Sequence, residues 1–125
     1  MNHDLFCSIY VDTDLPRDAM ASVVAELAGG VVARRGVDCS WARIAFDDRY
    51  GDFEVRQRDP DDFLGWPMLL EIMPPDSAGR DEVVRGVTSL MNALLGRGMR
   101  VLGQAEYADE LPGGGEVAFP AMSSP

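Results

Sequence analysis

The residues best placed to do chemistry are carboxylates, and they cluster. Asp47, Asp48, Asp52, Glu54, Asp59, Asp61 and Asp62 fall in one polar stretch, interleaved with Arg49, Arg56 and Arg58. Tyr50 and Phe53 sit among them. Such a cluster suggests two chemistries, cation binding and general acid–base work. The spacing does not match the D-x-[DN]-x-[DN]-G calcium loop. Acid–base work needs two carboxyl groups held about 5–10 Å apart with a place for substrate between them. Glu71 and Glu106 are the pair to test against that need, yet the layout derived below puts a strand between them. A cross-strand pair of Glu71 with Arg43 is the plainer expectation. His3 is the sole histidine, so neither a His-based zinc site nor a Ser-His-Asp triad can be assembled. No G-x-G-x-x-G or Walker loop occurs, and Gly113-Gly114-Gly115 precedes no helix pattern. The residues name no reaction, metal or cofactor.

Charge and composition narrow the class. The 125 residues suit one domain with its own core. Apolar residues make up 46% of the chain, a globular rather than disordered composition. The net charge is −10 and the pI about 4.3. Phosphates and anionic lipid surfaces would be repelled, so nucleic acid and membrane are not the expected partners. A basic protein would be attracted, with fast, salt-sensitive association. All the basic residues other than His3 are Arg. Cys7 and Cys39 make no CxxC motif and are expected as free thiols in a reducing compartment. The N-terminus shows no signal-peptide pattern, and no apolar run is long enough to span a bilayer. These features lead to the expectation of a cytoplasmic protein.

The elements that must position these groups follow from periodicity. The organising unit runs from Phe63 to Gly98. Trp66 to Met73 is an apolar run ended by Pro74-Pro75, which a strand ladder cannot continue. Trp66, Met68, Leu70 and Ile72 share one face, and Glu71 lies on the other. A helix follows, with Val83, Val84, Val87, Leu90, Met91, Leu94 and Leu95 in one stripe. Ser77 is its candidate N-cap. Gly86 inside it signals a close packing approach between helix and sheet.

Earlier in the chain, Leu5 to Val11 reads as a central strand and Met20, Val23, Val24 and Leu27 as the stripe of a first helix. Gly29-Gly30 stops that helix. Val31 to Arg35 reads as a short extended piece and Gly36-Val37-Asp38 as a bend. Ser40 to Phe46 reads as an edge strand, with Trp41, Arg43 and Ala45 on its more polar face. Asp47 to Asp62 reads as a long loop, and Arg100 to Tyr107 as the last strand. Residues 113–125, rich in Gly, Pro and Ser, read as a mobile tail after a single domain over 1–112.

The order β-α-β-β-α-β predicts an α+β, ferredoxin-like sandwich: an antiparallel sheet ordered 4-1-3-2 with two helices on one face. Its helix-free face would show Phe6, Ser8, Tyr10, Trp41, Arg43, Leu69, Glu71, Met73, Gln104 and Glu106. A face that apolar meets a partner, a second copy, or its own loop or tail. The candidate partner-binding residues are therefore the seven carboxylates of the polar stretch, together with Tyr10, Trp41, Glu71, Glu106, Asp109 and Glu110.

The segment from Asp59 to Pro75, the helix stripe and glycine stop after it, and Glu106-Tyr-Ala-Asp-Glu-Leu-Pro112 carry a resemblance. The chain resembles small, acidic, single-domain bacterial proteins of toxin–immunity loci. The shared pattern is a Phe-Leu-x-x-Pro opening to a strand, an outward Glu, and an acidic Asp-Glu-Leu-Pro ending. It spans most of residues 5 to 112 and includes no catalytic residue. The resemblance implies an immunity-type inhibitor that caps a cognate toxin, which the acidity fits because many toxins that attack nucleic acid are basic. The expectation is thus a non-enzymatic module for a basic protein. The rival is a dimer joined through the open face, an α/β barrel that binds a small molecule or does cofactor-free oxygenase-like chemistry.

Overall fold

A computed structural model describes residues 3–48, 51 and 53–120. Over these residues it is an α+β fold: a six-stranded antiparallel sheet with three α-helices. The strands are β1 (Cys7–Asp12), β2 (Val31–Ala33), β3 (Gly36–Asp38), β4 (Arg43–Asp47), β5 (Met68–Met73) and β6 (Arg100–Gln104). The helices are α1 (Arg17–Ala28), α2 (Phe53–Arg58) and α3 (Arg80–Gly96). The sheet order is β2-β3-β4-β5-β1-β6. This differs from the four-strand order expected. The four anticipated strands are neighbours, but β2 and β3 extend the sheet beyond β4. The stretch read as a bend, Gly36-Val37-Asp38, is itself a strand.

α1 and α3 pack side by side over one face. Cross-strand register builds that face: Cys7, Ile9 and Val11 lie opposite Ile72, Leu70 and Met68, and Ile44 lies opposite Ile72. Val24, Val87, Leu90 and Leu94 close over them in one continuous core with no or almost no exposure. At about 1.5–3 kcal/mol per buried side chain, this layer is the main driving force of folding. The α3 stripe packs as its spacing requires. Its N-cap, however, is Gly79 without a side-chain bond, not Ser77.

The remaining α2 lies on the opposite face, where a structureless loop was expected. Its residues were too polar and too few to show a helical stripe. A 3-10 turn, Phe63–Gly65, packs against it. Together they form a small lobe across the reverse of the sheet.

β2 and β3 form a hairpin around Arg34 and Arg35, with φ of 50° and 63°. Left-handed backbone at two arginines is strained. Arg43 holds the turn in place by donating to Ala33 O at 3.1 Å, Arg34 O at 2.8 Å and Asp38 Oδ1 at 2.7 Å. This network engages both terminal nitrogens of Arg43, and the expected Glu71–Arg43 pair does not form. Arg43 also faces Met73 across the ladder, while Glu71 faces Ala45. Replacing Arg34-Arg35 with Asn-Gly, which favours the type I′ geometry, should stabilise the protein by about 1 kcal/mol in urea unfolding. No gain would mean that the turn is not strained.

Beyond β6 the chain turns back. Ala118 pairs antiparallel with Val101, with N–H···O distances of 2.8 and 3.1 Å. Residues 113–120 thus cover part of the β6 edge, within the segment expected to be a tail. No helix among the described residues is long and apolar enough to cross a membrane.

Candidate functional site

The reverse face of the sheet is where the sequence expectations converge, and the lobe divides it in two. Under the lobe, Tyr10 lies between Leu69 and Leu102 across the ladder. Leu69 and Leu102 are buried, yet they lie outside the main core. The Tyr10 ring meets Phe63 edge-on at 4.9 Å, and its hydroxyl donates to Gln104 Oε1 at 3.1 Å. Trp66 is fully buried here as well. It precedes β5, so it does not share the face of Met68, Leu70 and Ile72 as its spacing suggested. Its Nε1 donates to Pro60 O at 3.2 Å. A second, smaller core therefore lies beneath the lobe.

An ion network holds the lobe down. Asp12 and Arg100 are partners in register at the ends of β1 and β6. Asp12 Oδ2 accepts from Arg100 Nε at 3.1 Å and Nη2 at 2.5 Å, and Oδ1 accepts from Arg56 Nη1 at 3.0 Å. Arg100 also pairs with Asp61, donates to Pro60 O at 2.8 Å, and lies 5.1 Å over the Trp66 ring. Burial alone would raise the Asp12 pKa, but the hydrogen bonds from Arg100 and Arg56 outweigh it and hold the carboxyl below its ordinary range. The network joins residues far apart in sequence, and no local spacing announced it. α2 also presses close: a Cβ at Gly65 would fall 2.7 Å from the Arg56 backbone nitrogen.

The expected partner-binding residues divide into several groups. Asp59 Oδ1 accepts the Asp61 N–H and Asp62 Oδ1 accepts the Leu64 N–H, both at 3.0 Å. Those two carboxylates shape turns, and Asp61 is tied to Arg100. Glu54 is exposed on α2. Asp47 and Asp48, at the end of β4, line a shallow depression with Arg17 and Arg35. Asp52 lies outside the described residues. Glu71 is exposed on the uncovered half of the reverse face, between Ser8 and Ala45.

Trp41 must be reassigned. β4 begins only at Arg43, and the indole turns to the helix side, 8% exposed in the main core. The slot that admits it is the α3 glycine: a Cβ at Gly86 would fall 2.5 Å from the indole ring. Glu106 also leaves the expected face, because β6 ends at Gln104 and Glu106 occupies the following turn. There it lines a depression of about 520 Å³ with Asp4, Arg80 and Tyr107. Glu110 pairs with Arg80, whose hydrogen bond holds the carboxyl pKa low, and Asp109 is exposed.

Two side chains with a strong claim to partner contact had drawn little notice in the sequence. Phe53 is 72% exposed and Leu64 is 44% exposed, both on the lobe. Phe53 was noted only as an aromatic within the polar stretch. Nothing in the local pattern shows that Phe63 turns inward while Phe53 and Leu64 turn outward.

The nucleophile candidates are suppressed. Burial pushes the Cys7 thiol up to about 12, so it is a neutral thiol at physiological pH. Beside it, burial raises Tyr107, whose hydroxyl donates to Leu5 O at 2.9 Å. Among the described residues, no group of three His, Cys, Asp or Glu side chains is arranged to hold a metal ion. Compared with protein-family models, with curated proteins and with solved structures, the chain matches none.

Proposed function

We propose that this chain is a non-enzymatic, cytoplasmic binding module for a basic protein, of the immunity type, and that the lobe is its contact surface. The observation that carries this reading is the exposure of Phe53 and Leu64 on an acidic lobe latched to the sheet. Exposed apolar side chains on a segment that also carries carboxylates are the composition of an interface: apolar anchors for affinity, charge for steering. The latch matters because a preorganised surface loses less entropy on binding. We read the fold as a ferredoxin-like split βαβ extended by a hairpin, a reading supported by the contiguous order β6-β1-β5-β4 with β2 and β3 added beyond β4.

The rival, a face-to-face dimer with a small-molecule pocket or oxygenase-like chemistry, has less support. The lobe lies over Tyr10, Leu69 and Leu102, and would have to be displaced first.

The test is capture of a basic protein from a host lysate, followed by affinity measurements on the purified pair. Phe53→Ser should weaken binding about tenfold or more, and Glu54→Gln should slow association and flatten its salt dependence. An affinity indifferent to both substitutions and to ionic strength would refute the proposal.

A further inference from the structure

The two edges of the sheet are treated differently by the chain. Ala118 pairs with Val101 along β6. The opposite edge, β2, has no strand beyond it among the described residues. Its two valines are also exposed, Val31 at 67% and Val32 at 50%. Sheet edges are usually blunted by charge, proline or a covering segment, and a bare apolar edge is a template for another strand.

We infer that β2 is a self-association edge, where a second copy of this chain adds its own β2 antiparallel to form a continuous sheet across a two-fold axis.

Three observations favour a second copy. The first is backbone geometry. In a two-residue hairpin the residues flanking the turn exchange the paired hydrogen bonds, and the next pair points its N–H and C=O outward. Ala33 and Gly36 flank the turn, and Val32 lies opposite Val37. By that count Val32 presents both backbone groups to the open edge. Two copies related by a two-fold axis through Val32 would exchange those groups reciprocally, and the Val32 side chains would meet as a cross-strand pair.

The second is charge. The protein is strongly acidic, so two copies repel over most of their surfaces. Between Gly29 and Arg43, however, the only carboxylate is Asp38, against Arg34, Arg35 and Arg43. Asp38 is already paired with Arg43 and Arg34. The copies would meet along a segment in which arginines outnumber carboxylates.

The third is what lies at the ends of the paired strands. Centring the axis on Val32 places Arg34 and Arg35 of one copy beside Gly30 and Gly29 of the other. Gly29 caps α1, whose last turn carries no basic side chain. The turn arginines of each copy would bring positive charge to the carbonyl end of the other copy's α1. A foreign strand would not carry that match by construction.

The edge is only three residues long, so the dimer should be weak and reversible, at the small end of specific interfaces. Sedimentation velocity of the full chain over a wide concentration range tests this. The wild type should show a monomer–dimer equilibrium. Val32→Pro should abolish it, since proline is tolerated at an outward N–H on an edge strand but cannot donate. Arg35→Glu, which leaves the ladder intact, should weaken it about tenfold across the two symmetric contacts. Glu71→Arg, on the reverse face between Ser8 and Ala45, should leave it unchanged. Circular dichroism identifies any variant that fails to fold, and Arg35→Glu carries the test if Val32→Pro does. A wild type that stays monomeric at every concentration overturns the inference. So does a dimer that survives a folded Val32→Pro or ignores Arg35→Glu, and so does one lost in Glu71→Arg.

Discussion

Arg100→Ala should lower the unfolding free energy by about 2–4 kcal/mol and release the lobe from the sheet. Both Asp12 and Arg100 side chains are only 17% exposed, so solvent does little to screen the pair. Without Arg100, the Asp12 carboxylate keeps Arg56 alone, and Asp61 and Pro60 O lose their cationic donor. The cation over the Trp66 ring, worth about 0.5–1 kcal/mol by itself, also goes. Arg100→Lys should recover part of the loss, because an ammonium keeps the charge but cannot reproduce the planar fork.

The same network sets an acid limit. The Asp12 pKa in the folded protein lies below its unfolded value of about 3.9. The stabilisation is therefore fully present above the unfolded pKa and is lost as pH falls through the folded one. Asp12→Asn should be destabilising at pH 7, and the gap from wild type should narrow on acidification. Urea unfolding at several pH values reads this directly, and amide exchange at Asp59, Gly65 and Trp66, whose N–H groups bond within the lobe, reads its loosening. A gap constant with pH, or unchanged protection in Arg100→Ala, would show that the latch does not hold the lobe. If the lobe is the contact surface, Arg100→Ala should also weaken partner binding without touching the partner, by lost preorganisation.

Gly86→Ala should destabilise the protein by about 1–3 kcal/mol, although alanine is the better helix former by about 1 kcal/mol. The added methyl would sit 2.5 Å from two atoms of the Trp41 ring and 2.8 Å from a third. The ring is buried and rigid, and it cannot retreat without lifting α3 from the core. Trp41→Ala should cost about 3–5 kcal/mol through the cavity it leaves. The decisive measurement is the double variant. With the indole gone, the methyl introduced on α3 has room, so the double variant should cost about 0.5–3 kcal/mol less than the sum of the two single costs. Strict additivity, or a stabilising Gly86→Ala, would mean that the indole does not occupy that slot.

These two contacts mark where local pattern and tertiary structure diverge. The helix stripe from Val83 to Leu95 and the alternation of Cys7, Ile9 and Val11 were legible, because each element meets the core with its own period. So were strands β1, β4, β5 and β6, the strand stop at Pro74-Pro75 and the helix stop at Gly29-Gly30. Gly86 could be recognised as a close approach, but not what approaches it.

The β2–β3 hairpin was obscured because Arg34-Arg35 is poor turn chemistry, rescued by Arg43 from a neighbouring strand. Glu71 and Arg43 were expected to pair because neighbouring strands put them within reach, but register then moved them apart. Trp41 and Glu106 were misplaced for a simpler reason. Strand ends are set by hydrogen-bond partners, and a strand that starts three residues late or ends three early frees its terminal side chains to turn elsewhere.

The sequence alone determined the α+β class, the layer of helices over the sheet, the acidity, and the lack of a recognisable catalytic signature. The tertiary structure alone decided that a short polar helix crosses the reverse face, that Asp12 and Arg100 hold it there, and that Phe53 and Leu64 point outward. Periodicity reports burial only for an element that packs along its whole length. The lobe is instead held by a small apolar core and a few charged contacts between residues as many as 44 positions apart, and only the folded backbone brings them together.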